Sequence, residues 1–247
     1  MPSVYLEHLT WVQAEKAFRE IPIVLLPIGA ILKEHGPHLP LNTDYLIARD
    51  LARRVAEQTD VIVCPPVTFG YYPAFVHFPG SVNLASDTFR ETVEQIILSL
   101  SKNGAQRFLL LNTGVSTTAP LTLAANNLVA QNIRVALANI LELGKRADAV
   151  IENESGSHAN EHETSMLLAI DSTVVKMENA VAEIQLWMNE RGAPVREAGP
   201  LLRSQDGVGV YCPSGVIGDP TRATREKGEA ILRAMADDVV AFCKNWE

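Results

Sequence analysis

The side chains able to bind metals and move protons gather in two short runs. The first is Lys33-Glu34-His35-Gly36-Pro37-His38-Leu39-Pro40-Leu41-Asn42-Thr43-Asp44. Carboxylates and imidazoles packed this densely are the donors that a hard-to-borderline divalent cation takes, and one glycine with two prolines would hold them rigidly. Taken singly, each residue has a plainer use. A lone histidine caps a helix end or satisfies a buried carbonyl, and Asp44 stands where a helix N-cap is wanted. Two histidines flanked by acids point to a metal. The second run is Ser157-His158-Ala159-Asn160-Glu161-His162-Glu163-Thr164-Ser165. On a helix, His158 and His162 at i, i+4 would share a face as a metal pair does, with Glu161 and Glu163 pointing elsewhere. Such a run offers an acid/base with accessory ligands, or simply an acidic first turn that complements the helix dipole. An aromatic loop, Phe69-Gly70-Tyr71-Tyr72-Pro73-Ala74-Phe75, could stack a small, flat, polar substrate with Tyr72 donating a hydrogen bond, or could fill a subunit interface.

These runs need a scaffold, and the hydrophobic pattern supplies one. Pro22–Gly29, Val61–Val67, Arg107–Asn112 and Ile133–Ile140 read as buried strands, each an apolar run bounded by turn formers. Between and after them, Tyr45–Gln58, a stretch capped by Ser86 or Asp87, Ala119–Gln131, Glu161–Ile170 and Thr221–Lys244 read as helices. Alternating βα units predict a mostly parallel sheet covered by helices on both faces. The loops after Gly29, Val67, Asn112 and Ile140 should then converge at the carboxyl edge of the sheet, where such folds bind ligands. Asp171–Val210, with Gly192, Pro194, Gly199 and Pro200, reads as an irregular excursion over the site or at a subunit contact. No linker, repeat, P-loop or dinucleotide fingerprint interrupts the pattern, so residues 1–247 are expected to form one domain.

Composition narrows the partners. Lys+Arg 21 against Asp+Glu 29 leaves a net charge of −8. That charge is spread along the chain and argues against nucleic acid and anionic membrane as partners. The apolar runs fall far short of the roughly 20 residues of a spanning helix, and the start lacks the pattern of a secretory signal, so a cytoplasmic protein is expected. Cys64, Cys212 and Cys243 are odd in number and widely spaced, which fits reduced thiols.

Four segments together resemble the creatininase (creatinine amidohydrolase) family. They are HGPHLPLNTD at His35–Asp44, FPGS at Phe78–Ser81, HANEHETSML at His158–Leu167, and Gly215-Val216-Ile217-Gly218-Asp219-Pro220 with Ala223-Thr224 and Glu226-Lys227-Gly228. The resemblance implies a three-layer α/β/α sandwich assembled as a homohexamer. It also implies a binuclear zinc, manganese or iron centre that hydrolyses a C–N bond of a small cyclic amide or formamide with a metal-activated water. Carried over residue by residue, His35 stands at a metal histidine, Asp44 at the bridging carboxylate, and His158 at the acid/base, with Glu161 beside it as a second catalytic candidate. Two departures stand out. Lys33 occupies the place of a metal glutamate, which leaves Glu34 as the candidate third ligand. Asn112-Thr113-Gly114-Val115-Ser116-Thr117 replaces an Asn-Gly-His segment, so Gly114 removes a ligand that His38, His77, His158 or His162 would have to replace, His77 being the leading substitute. Tyr72, His77 and Ser116 are the expected substrate contacts. Creatinine itself is not expected, because Glu154 and Ser155 do not match the aromatic and acidic pair of a creatinine pocket. Three readings follow: a metal-dependent amidohydrolase of a small molecule; a relative with a degraded metal site that binds small molecules or serves in assembly; and a one-metal centre turned to lactone hydrolysis or isomerisation.

Overall fold

A computed structural model describes residues 3–152, 156–183 and 199–246. Glu154 and Ser155, and the part of the 171–210 excursion that holds Gly192 and Pro194, lie outside the described residues.

The chain opens with β1 (Val4–Tyr5) and α1 (Trp11–Glu20), then β2 (Ile23–Ile28), α2 (Thr43–Ala56), β3 (Ile62–Val63), α3 (Ser86–Lys102), β4 (Arg107–Asn112), α4 (Thr118–Val129) and β5 (Arg134–Asn139). These strands form a wholly parallel sheet in the order β1-β3-β2-β4-β5. β3 is shorter than its apolar run because Pro65 and Pro66 cannot donate to a ladder; Val67 rejoins by a single bridge to Ile28. α1 was not expected, although Ala14, Ala17, Phe18 and Ile21 recur at helical spacing and its start is a capping box: Thr10 Oγ1 accepts from the Gln13 N–H, and Gln13 Oε1 accepts from the Thr10 N–H at 2.8 Å.

Alternation along the strands makes two cores. Ile23, Leu25, Leu109 and Leu111 face Leu46, Ile47, Leu51 and Val55 of α2. Val24, Leu26, Phe108 and Leu110 face Phe18 of α1, Phe89, Val93 and Ile97 of α3, and Leu121 of α4. Each such side chain, fully buried, contributes roughly 1.5–3 kcal/mol relative to its exposed state. The result is a three-layer α/β/α sandwich.

The rest of the chain builds a second wall at the sheet's carboxyl edge. β6 (Gly156–His158) leads into α5 (Glu161–Asp171); β7 (Leu201–Leu202) and β8 (Val210–Tyr211) pair with each other; β9 (Ile217–Gly218) pairs antiparallel with β6; and α6 (Arg225–Asn245) closes the fold. α5 and α6 join the α2 face through Met166, Leu167, Ile231, Leu232, Met235 and Val239. They approach so closely that a methyl group on Gly228 would overlap the Ser165 carbonyl.

β2 pairs with β3 on one side and β4 on the other, while α2 and α3 lie on opposite faces, so the strand order reverses between β2 and β4. Ile28 and Asn112, the last residues of those two strands, are register partners. A crevice opens beyond the strands at such a reversal. Both chemical runs converge there.

Candidate functional site

The loop from Gly29 to Asn42 folds back on itself. Lys33 N–H donates to the Leu41 carbonyl (3.0 Å) and Tyr45 N–H to the Ala30 carbonyl (3.1 Å), which sets residues 33–35 against the first turn of α2. Gly36 (φ 71°) makes the left-handed bend and leaves no room for a side chain beside Val216 and His38. Thr113, just past β4, donates its hydroxyl to the carbonyls of Ile28 and Asp44, both at 3.0 Å, and so ties the two strand ends to α2.

Asp44 is buried, and both its oxygens face cations or donors. Oδ1 lies 2.9 Å from His35 Nε2, and Oδ2 lies 2.6 Å from Lys33 Nζ. Burial opposes its ionisation, but the Lys33 ammonium, and after it His35, hold the carboxyl well below the usual carboxylate range. His35 Nδ1 faces the Lys33 carbonyl at 2.9 Å; a carbonyl only accepts, so that nitrogen carries the proton. Asp44 Oδ1 accepts from Nε2, and a cation taking the place of that proton would find the imidazole already oriented by its backbone contact, as in metal-binding histidines.

His158 enters from β6, behind Ala159, whose φ of 49° is left-handed. Its Nε2–H donates to the Glu34 carbonyl (2.9 Å) and Glu34 Oε2 (3.1 Å). Its Nδ1 faces Glu163 Oε2 at 3.7 Å. Glu163 folds back across the N-terminus of α5 and also accepts the Ala159 N–H at 2.5 Å, while Asn160 caps the helix by accepting the Glu163 N–H. Glu34 is seated by the Gly36 N–H on one side and by Gly215 on the other, where a Cβ would overlap its carboxylate. Burial works against charge on Glu34, yet His158, the Gly36 N–H and His35 together bring its carboxyl below the ordinary value. Phe75 packs on the His158 ring at 4.3 Å between centroids, and the His35 and His158 rings are 4.9 Å apart.

Ligand atoms of His35, His158 and Glu163 lie within 4.8 Å of one another. Of the residues expected from sequence, Glu34, His35, Asp44 and His158 meet here. Glu161 does not join them: its carboxylate lies 2.6 Å from Lys227 Nζ and accepts the Glu152 N–H at 3.2 Å. The neighbour that reaches His158 is Glu163. Two residues along a helix turn about 200°, so the two carboxylates leave on opposite sides. The expected helical pairing of His158 with His162 also fails, because His158 lies in β6, before α5 begins. His38 is buried with Nε2 on the Thr164 hydroxyl at 2.8 Å, and burial lowers its pKa to about 4. It links the loop to α5.

Tyr72 is buried in a small apolar cluster and forms a wall: the Lys33 ammonium lies 5.5 Å from its ring centre and 5.1 Å from that of Phe75. Burial pushes its phenol far above the usual range. His77 is exposed on the loop after Phe75, and Ser116 is half-buried between β4 and α4. A Cβ at Gly114 would meet Thr117 Oγ1 at 2.9 Å and the Tyr72 ring at 3.4 Å, so packing fills the space beside that glycine.

The family model for creatininase, described as creatinine amidohydrolase, matches residues 7–243. This chain belongs to the creatininase family. It is 32% identical to a mycofactocin precursor peptide peptidase of Mycolicibacterium smegmatis, over 92% of this chain and 86% of that one. To a creatinine amidohydrolase of Pseudomonas putida it is 29% identical, over 96% and 95% of the two chains. Among solved structures, a creatininase in its manganese form covers 99% of each chain at a TM-score of 0.78 and 26% identity. A creatininase variant described as Zn-Zn type covers 100% of this chain and 99% of its own at 0.79 and 25%.

The creatininase-like donor set here fits a divalent ion. His35 Nε2 and Asp44 Oδ1, 2.9 Å apart, have nearly the spacing of neighbouring ligands, since donors at about 2.0–2.2 Å from one ion lie about 2.8–3.6 Å from each other, depending on the coordination angle. Glu34, His158 and Glu163 add two carboxylates and an imidazole close by. The other Asp44 oxygen is taken by Lys33.

Proposed function

We propose that this chain hydrolyses a C–N bond of a small molecule, a cyclic amide or a formamide, at a centre built around one divalent ion. The meeting of buried His35, Asp44, Glu34 and His158 with half-buried Glu163 at the strand reversal carries this reading. His35, Asp44 and Glu34 would hold the ion, and the zinc and manganese forms of solved relatives support those metals. When bound, such an ion supplies Lewis acidity, which polarises a carbonyl and makes water a stronger acid. His158 and Glu163 handle protons. With the Nε2–H held by Glu34, a proton arriving at Nδ1 is stabilised by the Glu163 carboxylate, so the pair can take a proton from water and return it to a leaving nitrogen. Enclosure by Tyr72 and Phe75 lowers the local dielectric and strengthens each of these interactions.

The test is His35→Ala, read by elemental analysis and by turnover of a panel of cyclic amides, formamides and, because one relative is named a peptidase, short peptides. Loss of both ion and turnover is expected; retained turnover refutes the reading. Gly114 and Lys33 favour a competing reading, a relative without a catalytic metal that binds small molecules or serves in assembly. That reading requires a wild-type protein free of ions at saturating zinc and manganese, and Gly114→His would then raise affinity from near nothing. We further propose a cytoplasmic homohexamer, for which light scattering gives the mass.

A further inference from the structure

We propose that the Lys33 ammonium supplies the second positive charge of this centre, so that the pocket takes one divalent ion where a Zn-Zn relative takes two. The inference deepens the one-ion reading above and rests on it. Four observations carry it.

Lys33 is buried, at 4% exposure, and among the described residues its charge has one carboxylate partner, Asp44 Oδ2 at 2.6 Å. Taking an ammonium out of water costs several kcal/mol unless an anion and good geometry offset it, so a lysine held this way is matched to its carboxylate. The faces of Tyr72 and Phe75, at 5.5 and 5.1 Å, complete an enclosure suited to a compact cation.

Asp44 spends one oxygen on an imidazole and the other on the ammonium. A carboxylate that bridges two metals, themselves about 3.5–4 Å apart, divides its oxygens in the same way, one for each cation. Here one of the two positions is filled by an ammonium of the chain itself, held as an ion pair.

A protonated lysine has no lone pair, so no ion can share this oxygen through Lys33. On the β4 side, the polar groups nearest Gly114 are committed to one another. Asn112 Nδ2 donates to the Gly114 carbonyl (2.8 Å) and Asn139 Oδ1 (3.1 Å), and Thr117 donates its hydroxyl to Asn112 Oδ1 (2.7 Å). The space a side chain at 114 would enter is bounded by Thr117 and Tyr72. Among the described residues that side offers neutral, already bonded groups, so a second dication would depend on the second Asp44 oxygen and on a carboxylate at position 33.

Lys33 is therefore a positioning residue. It fixes Asp44 so that a single oxygen faces His35, and it leaves a positive charge that chelators cannot remove.

The experiment counts ions rather than turnover. Wild-type protein saturated with zinc or manganese and freed of excess should hold one ion per chain by elemental analysis. Manganese-loaded wild type should show the hyperfine sextet of an isolated Mn(II) in electron paramagnetic resonance. Lys33→Glu, which turns the cation into a ligand, should raise the count to two, whereas Lys33→Met should stay at one. Two ions in wild type, or an exchange-coupled manganese signal, would overturn the proposal and leave a metal hydrolase standing. No ion at all would overturn both. A folded Lys33→Glu that still holds one ion would also overturn the proposal. Should that variant fail to fold, the wild-type count and resonance signal decide. One ion with no turnover of any amide would leave Lys33 in this role and remove the hydrolase.

Discussion

Exchanging carboxylate for amide at the two glutamates of α5 separates a structural acid from a functional one. Glu161 is fully buried, pairs with Lys227 Nζ at 2.6 Å and accepts the Glu152 N–H through both oxygens at 3.2 Å. Breaking a buried pair costs about 3–5 kcal/mol when the surviving charge is stranded. Lys227 would not be stranded, because it keeps Glu152 Oε1 at 2.6 Å and the Arg222 carbonyl at 2.9 Å. A loss of roughly 2–3 kcal/mol is therefore expected for Glu161→Gln, a fall in Tm of about 4–12 °C for a chain of this size. Glu163→Gln should behave in the opposite way. Its amide oxygen can still accept the Ala159 N–H, so the fold is spared, but the charge facing His158 Nδ1 at 3.7 Å is gone. Because His158 in turn donates to the ligand Glu34, zinc or manganese affinity should drop about 10–100-fold, the usual effect of losing a group that orients a ligand. Differential scanning calorimetry and isothermal titration calorimetry on both variants read the two quantities without any substrate. A Glu161→Gln protein with wild-type Tm and weakened ion binding, beside a Glu163→Gln protein with normal binding, would refute the assignment.

Acid should destabilise the metal-free protein through His38. The unfolded chain takes up a proton near pH 6.5 that the folded chain refuses until about pH 4. Stability should therefore fall by roughly 3 kcal/mol as pH drops through that window, and urea titrations of His38→Gln should show a correspondingly flatter profile. Gly215→Ala places a methyl on the Glu34 carboxylate at a left-handed φ of 78°. It should cost about 1–3 kcal/mol by thermal melting and weaken ion binding at least about tenfold. Burial raises the thiols of Cys64 and Cys212 to about 12 and that of Cys243 to about 11, so none should react with a disulfide reagent until the protein unfolds.

Much of the scaffold was open to local reasoning because its signals are local. The apolar run Arg107–Asn112 is β4 to the residue, and α2, α4, α5 and α6 begin and end within a few residues of their amphipathic stretches. α1 was not expected, although both its amphipathic spacing and the Thr10-x-x-Gln13 capping box were there to be read. β3 stops at its prolines. The ligand types and loop spacing likewise pointed to His35, Asp44 and His158, and the four motif segments to the family.

What the residues alone could not say is how charges divide among partners, because that depends on groups distant in the chain. Lys33 read as a lost ligand; only packing against Tyr72, Phe75 and Asp44 makes it a buried cation matched to a carboxylate. Glu161 and Glu163 were equivalent as letters two positions apart. Their fates diverge because Lys227, on a helix some sixty residues later, meets one, and His158, held in β6 by pairing with β9, meets the other. Residue type and spacing determined which atoms could ligate or carry protons and the parallel α/β frame that would hold them. Tertiary structure decided which of those atoms face one another, since electrostatic partnership is set by distance in space and by exclusion of water, and neither is written along the chain.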